Sequence, residues 1–218
     1  MSASTLSRPI ASLSLRELRK LFGLVRDRKD PFFQQWLASA VPLSEFEQQA
    51  LHRLRQNYSN IIETNPLEEV VKLVVVAPLL DLAGFYQPPF AIRAETPTTL
   101  EASDEGQTFT GKIDVLVIQD QFWVLVIESK QARFDVTSGI PQALSYLLGQ
   151  PTEARSPAEP DRFAMVTNGR EVVFLKLMAS PSPMYCQSPI YQVIDEDEDL
   201  TQILKGLKWI GQYVQSVD

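Results

Sequence analysis

The alternation of apolar and polar residues divides the chain into a helical first part and a strand-rich second part. Apolar side chains recur at helical spacing after Ser14 and after Ser44, and each serine is followed three residues later by a glutamate. That spacing is the capping-box signature of a helix start. Asp30-Pro31 predicts a short helix through Leu37, because proline suits the first helical position. We therefore predict two or three helices in the first sixty residues.

The next predicted helix carries acids in its first turn. It begins at Pro66, and Glu68 and Glu69 follow directly. Acids at this position complement the helix dipole, so a purely structural role is one interpretation of them. Pro78 is expected to kink the helix, and Gly84 is expected to end it.

Two long apolar runs predict adjacent buried strands at residues 108–118 and 122–130. A turn at residues 119–121 joins them as a hairpin, which brings their other ends close together. We also predict a strand at residues 90–94. The polar and acidic composition of residues 97–107 predicts a solvated loop.

The rest of the chain alternates strands with two further helices. A helix is predicted at residues 138–148, ahead of a proline-rich surface loop. Asn168-Gly169 predicts a tight turn between two strands. Prolines mark residues 181–189 as an irregular arm, and a helix ends the chain.

This order of elements predicts an α/β fold with a mixed central sheet flanked by helices. Residues 1–60 form an N-terminal helical extension in this prediction, and residues 61–218 form the core with its C-terminal helix.

No apolar stretch reaches the ~20 residues of a membrane span, and no signal-peptide pattern opens the chain. With Cys186 as the single cysteine, we expect a cytoplasmic protein with no membrane partner and no cysteine zinc cluster.

The net charge and the single histidine argue against some classes of binding and catalysis. A net charge of −7 argues against a dedicated nonspecific nucleic-acid binder, although a local patch or a partner subunit can still provide docking. His52 is the only histidine, which argues against serine–histidine or cysteine–histidine catalysis. The first helix is basic, and we interpret that as a solvated face, with phosphate contact or subunit docking as the alternative.

Polar residues at the ends of the two buried strands predict a metal-binding site. Asp114 lies in the first strand, and Glu128-Ser129-Lys130 ends the second. Strand periodicity puts Glu128 and Lys130 on one face, and the hairpin puts Asp114 beside Glu128. Two carboxylates suit Mg²⁺, for which Mn²⁺ can substitute, and Lys130 suits stabilisation of charge on a phosphate. The alternative is an ion pair at a strand end with no chemistry.

The helix that follows adds an amide and a phenol. Gln142 and Tyr146 are four residues apart, so they share a helix face that can reach the same site. A surface or interface role is the alternative for such a pair. Glu68, with Glu69 as the fallback, can bring a third carboxylate.

The order of these motifs resembles the PD-(D/E)xK nuclease superfamily, and most closely the N-terminal nuclease domain of type I restriction enzyme motor (R) subunits. The likeness covers residues 61–180, and Ile113 stands where the superfamily name has proline. The stretches that carry the likeness are the helix from Glu68 to Pro78-Leu79-Leu80, Ile113-Asp114, Glu128-Ser129-Lys130, Gln142-x-x-x-Tyr146 and Thr167-Asn168-Gly169-Arg170.

The resemblance implies a restriction-endonuclease-like fold and a magnesium-dependent DNA endonuclease that hydrolyses phosphodiester bonds. The metal ligands that it implies are Asp114, Glu128, Glu68 and the carbonyl of Ser129. The other site residues that it implies are Lys130 for catalysis, and Gln142 and Tyr146 for support of the site or the DNA. The implied partners are DNA and specificity, methylase or motor subunits, with a homodimer as a further option.

Two alternatives to this nuclease reading stay open. The chain carries no P-loop or helicase motor, so we expect no ATP-driven translocation by these 218 residues. Together with the acidic charge, this favours as a second hypothesis a weakly active or inactive nuclease-fold module that binds nucleic acid or assembles with partner subunits. A third hypothesis is a nuclease that acts on RNA or on single-stranded ends.

Overall fold

A computed structural model describes the chain at residues 7–39, 42–102, 107–119, 122–150, 161–178, 182–194 and 197–217. Within these residues the centre of the protein is a nine-stranded sheet with both parallel and antiparallel neighbours. Helices cover both faces of the sheet. The predicted α/β fold with a mixed central sheet flanked by helices is confirmed. Of the described helices, none is both long and apolar enough to cross a membrane.

The helices lie close to their predicted positions. Both capping boxes are present, since Ser14 and Ser44 each accept a hydrogen bond from the amide of the glutamate three residues later. The helices are α1 (Leu15–Phe22), α2 (Phe32–Ser39), α3 (Glu45–Ser59), α4 (Glu68–Val71), α5 (Ala77–Leu82), α6 (Ile140–Leu148) and α7 (Asp197–Val217), with 3-10 turns at Ile10–Ser12, Ile62–Thr64 and Val136–Gly139.

A π-helical turn connects α4 to α5. It spans Lys72–Val76 and leads directly into the first turn of α5, where Pro78 lies. Proline has no N–H to donate to the preceding turn, and a wider turn ahead of it accommodates the missing hydrogen bond. Gly84 follows the helix with φ of 85°, in agreement with its predicted role as a helix stop.

The strands are β1 (Ser7–Pro9), β2 (Val25–Arg26), β3 (Phe90–Ala102), β4 (Gln107–Gln119), β5 (Phe122–Ser129), β6 (Arg162–Thr167), β7 (Glu171–Met178), β8 (Met184–Gln187) and β9 (Tyr191–Gln192). The predicted hairpin is present, because β4 pairs antiparallel with β5. Its turn at residues 120–121 lies outside the described part of the chain. β5 also pairs with β6 in parallel, and β6 pairs antiparallel with β7 around the predicted Asn168-Gly169 turn.

Two segments predicted to be irregular contain strands instead. The predicted loop at residues 97–107 is wrong where the structure describes it, because β3 continues to Ala102 and β4 begins at Gln107. Residues of β3 alternate between exposed and partly buried, as in a strand with one face toward solvent. That exposure explains the polar composition. The predicted arm at residues 181–189 contains β8, which pairs with β7.

The first sixty residues contain α1, α2 and α3, as predicted, but they also contribute to the sheet. β1 pairs with β4, and β2 pairs with β8, both in parallel. Leu18, Trp36 and Tyr58 are buried in the same cores as the rest of the protein. The domain division at residue 60 stays a prediction.

Two apolar cores lie on opposite faces of the sheet. One contains buried side chains of α2, α3, α5 and α7, and the other contains side chains of α1 and α6. Near the end of β5 the side chains alternate between the two cores, since Val126 lies in one core while Leu125 and Ile127 lie in the other. Because β5 is buried on both faces, the polar residues at its end are enclosed by the fold.

Candidate metal centre

Asp114 and Glu128 are neighbours on adjacent strands. Val115 of β4 pairs with Ile127 of β5, which puts Asp114 and Glu128 opposite each other one position further along. Both carboxylates are buried, and Glu128 is only 1% exposed. The structure therefore brings together the two acids that the sequence analysis singled out.

The backbone and side chain of Ser129 hold Asp114 in place. The Oδ2 atom of Asp114 accepts hydrogen bonds from the Ser129 amide at 2.6 Å and from the Ser129 hydroxyl at 2.9 Å. Its Oδ1 atom lies 3.5 Å from the Nζ atom of Lys72. Ser129 is thus a positioning residue for Asp114, and the role of its carbonyl as a metal ligand stays a prediction.

One carboxylate oxygen of Glu128 has no hydrogen-bond partner among the described residues. Its Oε1 atom accepts a hydrogen bond from Lys130 Nζ at 2.5 Å, but Oε2 is buried without a partner. Burial and the charge of Asp114 raise the pKa of Glu128 to about 8, although Lys130 acts in the opposite direction. An unpartnered oxygen in a buried carboxylate is costly. Among the described residues, therefore, nothing donates a hydrogen bond to the Oε2 atom of Glu128 or pairs with it as a cation.

Lys130 is held by a chain of hydrogen bonds that begins on β4. The carbonyl of Lys112 accepts from the Tyr146 hydroxyl at 2.6 Å, and that hydroxyl accepts from Gln142 Nε2 at 2.8 Å. The Oε1 atom of Gln142 in turn accepts from Lys130 Nζ at 2.9 Å. Burial and the charge of Glu128 raise the pKa of Tyr146, so its hydroxyl stays a neutral donor. Gln142 and Tyr146 thus orient the ammonium of Lys130.

The approach of α6 to this site requires glycine at position 139. A Cβ atom on Gly139 would lie 2.6 Å from Val166 Cγ1, and 3.4 Å from both Glu128 Cγ and Lys130 Cε. The first contact is closer than real Cβ atoms allow. Gly139 therefore lets the start of α6 pack directly against the side chains of Glu128 and Lys130.

Glu68, and not the fallback Glu69, contacts the site. Lys72 Nζ lies 3.4 Å from Glu68 Oε1 and 3.5 Å from Asp114 Oδ1, whereas Glu69 is exposed to solvent. Burial and the charge of Asp114 raise the pKa of Glu68. The ammonium of Lys72 thus lies between the two acids and separates them.

Two residues of the site were not anticipated from the sequence. Lys72 contacts both Glu68 and Asp114, and Glu95 Oε1 lies 3.3 Å from its ammonium. The spacing of Glu68 and Lys72, four residues apart on one helix, was a usable signal for the first contact. Glu95 gave no signal, because its contact depends on how β3 pairs with β4.

The residues present fit a divalent ion that is completed by a ligand from outside the chain. Within the described ranges, no group of three or more acidic, histidine or cysteine side chains is arranged to hold a metal ion alone. Mg²⁺ commonly binds through one or two carboxylates together with a substrate phosphate and water. Asp114 and the unpartnered oxygen of Glu128 match that ligand set.

Comparison with known proteins identifies the family. Residues 33–182, more than half of the chain, match the family described as the type I restriction enzyme R protein N terminus. The chain belongs to this family. The match begins at residue 33, so it includes α3 and all but the first residue of α2, which the resemblance seen in the sequence left out.

Similarity to individual proteins is weaker than the family match. A fragment structure of a putative HsdR subunit of a type I restriction enzyme from Vibrio vulnificus has 22% sequence identity and a TM-score of 0.40. The alignment covers 65% of this chain and 26% of that chain, so the chain spans about a quarter of the length of that relative. No curated protein sequence matches the chain.

Proposed function

We propose that this family member is a metal-dependent nuclease that hydrolyses phosphodiester bonds in DNA, with Mg²⁺ as its metal and Mn²⁺ as a substitute. The observation that carries the proposal is the convergence of Asp114, Glu128 and Lys130, where one buried oxygen of Glu128 has no partner in the part of the chain that the structure describes. Membership of a family of restriction-enzyme N termini supports the same reaction class.

The acids would hold the metal, and the metal would activate the substrate. Asp114 and Glu128 are the two carboxylate ligands in this proposal, with the Ser129 carbonyl and Glu68 as further candidates. When bound, a divalent ion polarises the phosphate and lowers the pKa of water. Ser129 keeps Asp114 oriented through two hydrogen bonds, which limits the reorganisation needed on binding.

Lys130 would act on the phosphate or on the attacking water. Its ammonium is fixed by Glu128 and Gln142, and the Gln142 amide is fixed by Tyr146. A cation held in this way stabilises negative charge that develops on the phosphate oxygens. It can also donate a hydrogen bond that orients water. Gln142 and Tyr146 are positioning residues in this mechanism.

DNA and other subunits are the partners that we propose. The family is named for an R protein of type I restriction enzymes, and specificity, methylase or motor subunits are the assembly partners that fit that context. A homodimer is a further proposal. Cleavage of RNA or of single-stranded ends uses the same chemistry and is distinguished by the choice of substrate.

Cleavage of supercoiled plasmid DNA tests the proposal. We expect Mg²⁺- or Mn²⁺-dependent nicking by the wild type, and loss of nicking in Asp114→Asn and Lys130→Ala. Two matched controls should retain activity. Asp81→Asn changes an exposed acid of α5, and Lys208→Ala changes a lysine that forms an ion pair with Glu47. Duplex DNA, single-stranded DNA and RNA are compared in parallel. Equal nicking by wild type and both site variants would contradict the assignment.

A module without cleavage is the second candidate. It is favoured by the fact that a lysine already contacts each acid, Lys72 at Asp114 and Lys130 at Glu128. Such a module would bind nucleic acid or partner subunits but cleave nothing with any metal. The plasmid assay, combined with a gel-shift measurement on the same DNA, separates the two candidates.

A further inference from the structure

Lys72 is surrounded by three carboxylates in different environments. Its Nζ atom lies 3.4 Å from Glu68 Oε1, 3.5 Å from Asp114 Oδ1 and 3.3 Å from Glu95 Oε1. The side chain of Asp114 is 12% exposed, whereas that of Glu95 is 56% exposed. Lys72 therefore connects the inner acids of the metal centre to an outer acid in solvent.

The backbone is irregular at both ends of the Lys72–Glu95 pair. Lys72 begins the π-helical turn, and such turns occur often at functional sites. Glu95 has φ of 49°, in the left-handed region, although it lies within a strand. In the pairing of β3 with β4, Ala94 pairs with Val115 and Thr96 pairs with Ile113. Glu95 lies between these two pairs, at the position opposite Asp114, and does not itself pair with β4. A non-glycine residue in this conformation costs on the order of 1 kcal/mol, and such strain is concentrated at functional sites.

We propose that Lys72 is the resident counter-ion of the metal centre and that Glu95 retains it when a divalent ion binds. Without a metal, the ammonium neutralises Asp114 and Glu68. With a divalent ion on Asp114, like charges repel, and Lys72 leaves the inner acids while it keeps its contact with Glu95. The inference rests on the proposed function, since it requires a metal at Asp114 and Glu128.

The proposal predicts opposite effects for the two members of the pair. Lys72→Met removes a cation that competes with the metal, so the affinity for Mg²⁺ should rise roughly tenfold, within the usual range of coupling between sites. Glu95→Gln removes the outer partner of Lys72, so the ammonium stays on Asp114 and the affinity should fall several-fold. Because Glu95 acts only through Lys72, adding Glu95→Gln to Lys72→Met should change nothing.

Isothermal titration calorimetry with Mg²⁺ on the full chain tests this cycle of four proteins. Lys72→Arg keeps the charge and should bind Mg²⁺ like the wild type. Lys208→Met removes a lysine from an ion pair between α3 and α7, and it should also leave the affinity unchanged. Circular dichroism confirms that each variant is folded before titration, and Lys72→Gln replaces Lys72→Met if the latter does not fold.

Three results would overturn the inference, and one of them would also overturn the proposed function. Equal affinity of the wild type and Lys72→Met would show that Lys72 does not compete with the metal. A loss caused by Glu95→Gln that persists in the Lys72→Met background would make Glu95 a direct ligand instead. If neither the wild type nor Lys72→Met binds Mg²⁺ or Mn²⁺, the proposed metal centre fails together with this inference.

Discussion

Replacing Glu128 with glutamine preserves the shape of a buried side chain while removing its ionisation. The pKa of Glu128 is raised from 4.5 to about 8 by burial and by Asp114. At about 1.4 kcal/mol for each pH unit, ionising this group opposes folding by up to roughly 5 kcal/mol.

The sign of the pH dependence follows from the direction of this shift. Between about pH 4.5 and pH 8 the folded protein keeps a proton on Glu128 that the unfolded chain has released. The free energy of unfolding contributed by this group therefore falls as pH rises through that window, and it is constant above it. In Glu128→Gln this fall is absent. The variant should gain a few kcal/mol relative to the wild type between pH 5 and pH 8.

Urea unfolding in EDTA, followed by circular dichroism at several pH values, measures this difference. Glu69→Gln removes an exposed acid on α4 and serves as the control, because its stability curve should run parallel to that of the wild type. Parallel curves for the wild type and Glu128→Gln would refute the reasoning. They would mean that Glu128 ionises as easily in the folded protein as in the unfolded chain.

Four further substitutions are predicted to lower the free energy of unfolding, and the same urea assay measures each of them. Gly169 has φ of 84°, and a Cβ there would lie 2.1 Å from the hydroxyl of Tyr58, so Gly169→Ala should cost roughly 2–4 kcal/mol. Gly23→Ala, with φ of 66° and no atom within 4 Å of the added Cβ, should cost only about 1–2 kcal/mol. Equal losses would contradict the steric explanation. Ser44→Ala should cost about 1 kcal/mol through loss of the capping box, and no loss would mean that water replaces the cap. Tyr146→Phe should cost about 1–3 kcal/mol, because the Lys112 carbonyl loses its donor, and an unchanged stability would show that this hydrogen bond contributes nothing net.

The parts of the fold that the sequence predicted are those governed by local pattern. Capping boxes at Ser14 and Ser44 depend on four consecutive residues, and the β4–β5 hairpin follows from two apolar runs with a short connection. The meeting of Asp114 and Glu128 follows from the same pairing. Period-two alternation then puts Lys130 beside Glu128.

The features that the sequence did not reveal depend on long-range pairing. β1 and β2 are only three and two residues long, and each exists because a distant strand provides its partner. The second half of β3 is polar because it has a solvent face, and a polar composition alone suggested a loop. The contact of Glu95 with Lys72 requires the irregular pairing of β3 with β4.

The most direct test of the proposed metal centre is a crystal structure of the protein grown with Mn²⁺, in which anomalous scattering locates the ion. We expect one peak bonded to the carboxylates of Asp114 and Glu128, with the ammonium of Lys72 moved from Asp114 and still in contact with Glu95. The absence of a peak at these two acids, with Lys72 still on Asp114 at a saturating Mn²⁺ concentration, would contradict the assignment of this site as a metal-dependent nuclease centre.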